Sequence, residues 1–220
     1  MVNKILIKIM VHLVPKRVLI KKIILTYFNT FFSKTDIFFV IAIFYYSHSI
    51  IIEIDVITKV TNNNFNIVIT DGTANIGTDS IHMAKIFKSI NSVELSKINF
   101  IALKNNVKIL NNRENMNCYN GDINEVIGSL KQDLIYIDAP WGGRNYKNFN
   151  KLKLYLGEVE ILDFYIKNKE RAKYFIFKIP FNYDFDYLRK YIIDKVTIFP
   201  FKKDSKIKYF LLVIEREFII

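Results

Sequence analysis

The chain has 220 residues, 51% of them apolar, with 32 lysines and arginines against 21 acidic residues and a formal net charge of +11. That length fits one domain with a short appendage, and a pI near 9.5 points to a polyanionic partner, nucleic acid first, set against the plainer reading of a solvated lysine surface. One cysteine and three histidines, none in a His-x-x-His or His-Glu-x-x-His spacing, exclude an intrachain disulfide framework, give no metal signal, and fit a soluble protein of a reducing, intracellular compartment.

Met1–Ile51 is expected to be a hydrophobic and basic helical extension. It opens Lys4-Ile5-Leu6-Ile7-Lys8 and repeats that flavour at Lys16–Lys22. The apolar run Ile37–Ile52 is a little short of the ~18 residues of a membrane span. Helices packed on the domain or an accessory lobe are the first reading, and membrane association the second. No small-residue cleavage site follows, so a secretory signal is not expected.

Residues 52–220 read as an α/β domain. Ile50–Val60 is expected to enter it as a helix, and Thr61-Asn62-Asn63-Asn64 to turn. Phe65–Thr70 is a β-branched run, read as a buried strand. It ends in Asp71-Gly72-Thr73-Ala74-Asn75-Ile76-Gly77, before a helical pattern over Thr78–Ser89. A strand, a glycine-containing turn and a helix N-terminus offer close backbone approach and unpaired N–H groups. Ser92–Leu95 is a second strand carrying Glu94, about twenty residues beyond the first loop, a spacing at which a carboxylate can hold ribose hydroxyls. The next helix carries Ile98, Ile101, Ala102 and Val107 as its apolar positions. Asn117–Asn120 leads into Gly121-Asp122, where Asp122 either caps the helix Ile123–Leu130 or accepts from an adenine amino group.

Everything then turns on Tyr136–Tyr146, which reads Tyr-Ile-Asp-Ala-Pro-Trp-Gly-Gly-Arg-Asn-Tyr. The apolar strand Leu134–Ile137 stops at Asp138 and Pro140, because proline cannot donate to a sheet ladder. A carboxylate, a rigid turn and the chain's single tryptophan meet at a strand's C-terminal end, where open α/β sheets place their ligands. Asn145–Lys153 follows with Tyr146, Lys147, Phe149, Lys151 and Lys153, a mixture suited to phosphate and base stacking. Val159–Lys169 is an amphipathic helix, Tyr174–Pro180 a strand, Pro180–Tyr183 a loop at that strand's end, and Tyr187–Asp194 a short helix. Val196–Phe201 and Tyr209–Glu215 pair as a hairpin.

The acidic strand ends Asp71, Glu94 and Asp122, followed by Asp138-Ala139-Pro140-Trp141-Gly142-Gly143-Arg144-Asn145-Tyr146, resemble those of class I S-adenosylmethionine-dependent methyltransferases. More narrowly, they are similar to the RNA cap guanine-N2 methyltransferases, the trimethylguanosine synthases. The resemblance runs from Phe65 to Tyr146 and more weakly to Ile220. It implies a Rossmann-like, mostly parallel doubly wound sheet ending in an antiparallel hairpin. It also implies that Asp71, Gly72, Thr73, Asn75 and Gly77 hold the methionine end of S-adenosylmethionine, Glu94 its ribose and Asp122 its adenine, with Asp138 beside it. Asp138, Pro140 and Trp141 become the catalytic positions. Trp141, Arg144, Tyr146 and Lys147 become the positions for a capped RNA end, with Trp141 stacked on a cationic N7-methylguanine. Ala139 stands where the family has a first proline. An Asp-Pro-Pro-Trp or Asn-Pro-Pro-Tyr loop is also the mark of N6-adenine methyltransferases, so methylation of adenine in DNA or RNA is the alternative. A nucleic-acid-binding module that kept the fold without turnover is the third reading.

Overall fold

The computed structural model describes residues 50–110 and 114–216. The expected extension, residues 1–51, lies outside them except for Ile50 and Ile51, which open helix α1 (residues 50–60). Among the described residues nine strands follow: β1 (Val68–Asp71), β2 (Ser89–Glu94), β3 (Met116–Asn120), β4 (Leu134–Ile137), β5 (Tyr155–Leu156), β6 (Val159–Glu160), β7 (Tyr174–Pro180), β8 (Lys195–Lys203) and β9 (Lys206–Glu215). Between them lie helices α2 (Thr78–Ala84), α3 (Lys97–Leu110), α4 (Ile123–Val126), α5 (Ile161–Asn168) and α6 (Phe185–Tyr191). Seven strands form one sheet in the order β3-β2-β1-β4-β7-β9-β8, parallel from β3 to β7 and antiparallel across β9 and β8. Strands β5 and β6, two residues each, form a separate antiparallel hairpin.

The central strands are buried on both faces, so their side chains alternate between two cores. Leu134 and Tyr136 face Ile54 and Ile57 of α1 and Met83 of α2. Ile135 and Ile137 face Ile123 of α4 and Leu162 of α5. The same alternation along β7 sends Tyr174 and Ile176 to the first core and Phe175, Phe177 and Ile179 to the second. It also aims Lys178, the one charge in that strand, at the α1 side.

Strands β4 and β7 fall on their expected bounds, because apolar β-branched and aromatic runs end there at Asp138 and Pro180. Elsewhere local chemistry moves the ends. β1 begins at Val68 rather than Phe65, since the Asn66 N–H bonds the Asn64 side chain 3.0 Å away and makes a turn. α2 stops at Ala84 and the chain straightens at Ser89, so β2 starts three residues before the expected Ser92 and Leu95 falls outside it. α4 tightens into a 3-10 turn at Ile127–Ser129. Val159 and Glu160 pair in β6, and Glu160 caps α5 by accepting the Leu162 N–H at 2.6 Å. α6 starts at Phe185, after Asp184 accepts the Tyr187 N–H. In α3 the buried positions are Ala102, Leu103 and Asn106, whereas Ile98 and Ile101 are exposed. The β8–β9 turn is two residues, Asp204 and Ser205, both left-handed (φ 52° and 58°), matching the twist of a tight hairpin. Pro200 is tolerated because β8 is the sheet edge. Among the described residues no helix is long and apolar enough to cross a membrane.

Candidate active site

Strand order reverses between β1 and β4, the place at which open α/β sheets hold their ligands. A cavity of about 760 Å³ opens there. Its floor and one wall come from the β1 loop (Gly72, Thr73, Asn75), and the β2 end adds Glu94, Leu95 and Ser96. Gly121 and Asp122 follow β3, and Asp138, Ala139, Pro140 and Trp141 follow β4. Tyr155, Leu156 and Gly157 of the small hairpin close another side.

Backbone hydrogen bonds knit these loops. The Gly72 N–H donates to the Tyr136 carbonyl at 2.9 Å, and the Asp138 N–H to the Thr73 hydroxyl at 2.8 Å. A Cβ on Gly72 would sit 2.5 Å from Ile137 Cδ1, so only glycine lets the β1 loop lie against β4. Asn75 takes the left-handed conformation (φ 50°) that a further glycine would otherwise supply.

Glu94 is nearly buried, and both of its oxygens accept backbone N–H groups, from Asn75 at 2.8 Å and Ser96 at 2.7 Å. It therefore sets the width of the cavity between the first two loops. Asp122 caps α4, with Oδ1 accepting the Asn124 N–H at 2.9 Å. It also stands on the cavity wall.

Asp71 and Gly77 belong to the same loop but do not reach the cavity surface. Asp71 is 1% exposed; its Oδ2 accepts the Ser80 hydroxyl at 2.5 Å and its Oδ1 the Thr73 N–H at 3.2 Å. Burial pushes its carboxyl up to about 7, against the pull of those two donors. Gly77 (φ 92°) turns the chain into α2, packed on Leu103.

At the other end Trp141 is half-buried between the two cores. Its indole N–H donates to the Lys178 carbonyl at 3.4 Å. The Tyr146 ring meets it edge-on, centroids 5.2 Å apart at 68°, and Tyr209 lies 6.5 Å away. Tyr146 sits in the short 3-10 helix Gly143–Asn148 with Lys147 5.8 Å over its ring. Arg144 is in the same turn; its side chain is outside the described residues. The Asn182 side chain donates to the carbonyls of Tyr146 and Phe149 at 2.8 and 2.6 Å, which ties the Pro180–Tyr183 loop to the tryptophan loop.

Two residues that sequence reasoning passed over stand behind Asp138. Lys178 Nζ is 3.0 Å from Asp138 Oδ2 and 3.0 Å from Glu53 Oε1. Glu53, fully buried on α1, also accepts hydroxyls from Tyr136 at 2.6 Å and Tyr209 at 3.1 Å. Burial raises the Asp138 carboxyl, Lys178 lowers it, and Glu53 raises it again. Asp79 is also raised by burial and by Glu53. Burial opposes a charge on Lys178, yet Asp138 and Glu53 overcome it and hold the ammonium firmly protonated. A lone lysine in an apolar strand and a glutamate in an apolar helix were the available signals. The hairpin residues Tyr155, Leu156 and Gly157 gave none. Among the described residues no group of three or more His, Cys, Asp or Glu is placed to hold a metal ion.

A sheet of this order with its cavity at the β1/β4 reversal is the class I methyltransferase fold. It overlays the human methyltransferase 10 domain containing protein with a TM-score of 0.58 at 12% identity, covering 76% of this chain and 80% of that one. A candidate methyltransferase from Porphyromonas gingivalis overlays with a TM-score of 0.51 at 17% identity, covering 68% and 37%. Residues 66–217 match the RNA cap guanine-N2 methyltransferase family, and the chain belongs to it. An uncharacterized protein of Acanthamoeba polyphaga mimivirus is 38% identical over 151 residues, 62% of this chain; the chain spans 59% of that relative's length.

Proposed function

We propose that this methyltransferase uses S-adenosylmethionine to methylate an exocyclic amine of a nucleobase, namely N2 of an N7-methylguanosine RNA cap. The observation that carries the reading is Trp141, a half-buried ring on the wall of the same cavity that Glu94 and Asp122 line. A cationic base is the ligand that most rewards a tryptophan face, by about 0.5–2 kcal/mol. The family membership supports the same substrate.

The residues present fit the cofactor. A cavity of about 760 Å³ is ample for it. Glu94, its orientation fixed by two N–H groups, can accept from ribose hydroxyls, and Asp122 from an amino group. When bound, S-adenosylmethionine supplies a methyl group on a sulfonium: the amine lone pair forms the N–C bond as the C–S pair returns to sulfur. The chain's part is to hold the amine in line, the proximity contribution that reaches ~7–11 kcal/mol in well-oriented reactions. Asp138 accepts an N–H of that amine, and the displaced proton leaves to water. Residues 52–220 form the catalytic domain, and residues 1–51 an extension to it. Tyr146, Lys147 and Arg144 serve the phosphates and the base.

Asp138 favours a second reading, since a carboxylate before Pro140-Trp141 accepts from the amine of adenine equally well. Transfer of labelled methyl to N7-methyl-GDP, GDP and adenine-containing oligonucleotides separates the two. Transfer to N7-methyl-GDP alone, lost in Trp141→Ala, is expected. Transfer to adenine moves the assignment to N6 methylation. No calorimetric binding of S-adenosylmethionine would leave a non-catalytic nucleic-acid-binding module.

A further inference from the structure

We propose that Lys178, anchored by Glu53, is the positioning residue that fixes the Asp138 carboxylate toward the base to be methylated. The role rests on the reading of Asp138 as the acceptor for the target amine.

The geometry is one-sided. Glu53 is enclosed in the core, and three donors reach its two oxygens: Tyr136 from β4, Tyr209 from β9 and Lys178 from β7. It cannot turn without leaving a buried hydroxyl unpaired. Lys178 is thus held from behind and presents a second N–H forward, to Asp138 Oδ2. The Asp138 N–H is fixed in turn by Thr73. Its other oxygen, Oδ1, accepts from no described residue, and the side chain is 32% exposed while lining the cavity. One oxygen is therefore locked by the ammonium and the other remains open as an acceptor.

The charges give the lysine a second effect. Asp138 shares this corner with Asp71 on β1, Asp79 on α2 and Glu53 on α1, against Lys178 alone among the described residues. Tyr136 and Tyr209 are neutral there, raised by burial and by Glu53. Without the ammonium Asp138 takes up a proton more readily, and a protonated carboxyl has lost acceptor capacity. Family resemblance marked Asp138 and Trp141 but carried no partner for the carboxylate. Glu53 and Lys178 are 125 residues apart in the chain, and only the fold joins them to it.

The chain's single tryptophan supplies a readout independent of turnover. Trp141 lies three residues from Asp138 and bonds the Lys178 carbonyl, so its emission should follow ionisation of Asp138. In a pH titration of the full chain, Asp138→Asn should abolish one emission step. Lys178→Met should move that step up by about 1–3 pH units, the usual effect of a close cation on a carboxylate. Glu53→Gln should move it down, because a competing carboxylate is lost while the amide oxygen still holds Lys178. Opposite shifts report that both groups act on Asp138, and the acid limb of kcat then separates a positioning role from a merely structural contact. The acid limb of kcat on the methyl-accepting base should follow the step, with KM for S-adenosylmethionine unchanged in Lys178→Met. Lys178→Arg should keep the step low and restore kcat in part. If Lys178→Met does not fold, Glu53→Gln and Lys178→Arg carry the test. Shifts in the same direction, or none, overturn the proposal. Opposite shifts with no methyl transfer to any exocyclic amine would leave the Lys178–Asp138 coupling in place and defeat the substrate reading instead.

Discussion

Replacing Asp71 by Asn should stabilise the protein at alkaline pH and do little in acid. The carboxyl titrates near 3.8 in a free chain and is pushed up to about 7 here, mainly by burial. Between those values the folded chain binds the extra proton, so stability falls as pH rises from about 4 to about 7 and is level on either side. At 1.36 kcal/mol per pH unit, the full span is roughly 4 kcal/mol. Between pH 5 and pH 8 the same two values leave roughly 2.5 kcal/mol. Asparagine is isosteric, can accept the Thr73 N–H and can donate to the Ser80 hydroxyl, so the hydrogen bonds survive. Denaturation curves for the wild type and Asp71→Asn at pH 5 and pH 8 measure the effect. The variant should gain on the wild type by roughly 2.5 kcal/mol between the two. A difference that is the same at both pH values, or that favours the wild type at pH 8, would refute the placement of Asp71 as a buried, proton-holding acid.

Three other perturbations follow from the same geometry. Gly72→Ala should cost about 1–3 kcal/mol in denaturant unfolding, because its methyl meets Ile137 at 2.5 Å and Ile123 at 2.9 Å. Glu94→Gln should weaken S-adenosylmethionine about 10- to 100-fold by calorimetry, the worth of a hydrogen bond to a charged group, while an unchanged affinity would remove Glu94 from the cofactor site. Asp122→Ser retains a capping side chain, so melting should hold while cofactor affinity drops; an unchanged affinity would leave Asp122 as a cap alone.

Much of the fold was legible because its signals are local. Leu134–Ile137 and Tyr174–Pro180 are apolar runs closed by Asp138 and Pro180, and the two C-terminal strands are separated by a polar link. The same holds for the Asp138–Gly143 turn, whose proline and two glycines leave few alternatives. What was not legible depends on pairings across the chain. Leu95, Ile98 and Ile101 read as apolar positions of buried elements, yet all three are exposed, since β2 ends at Glu94 and α3 buries the stripe through Ala102, Leu103 and Asn106. The β5–β6 hairpin has only two residues in each strand, below any periodicity. The Glu53–Lys178–Asp138 chain needs α1, β7 and β4 brought together, and single charges in apolar runs do not say what they face.

The identity of the methylated atom separates the cap reading from its alternatives most directly. Nucleosides released after incubation of the full chain with S-adenosylmethionine and a mixture of N7-methyl-GDP, GDP and an adenine-containing RNA can be resolved by mass spectrometry. Guanosine carrying methyl groups at both N2 and N7, and no methylated adenosine, is the predicted product. N6-methyladenosine, or N2 methylation of GDP as readily as of N7-methyl-GDP, would contradict the account.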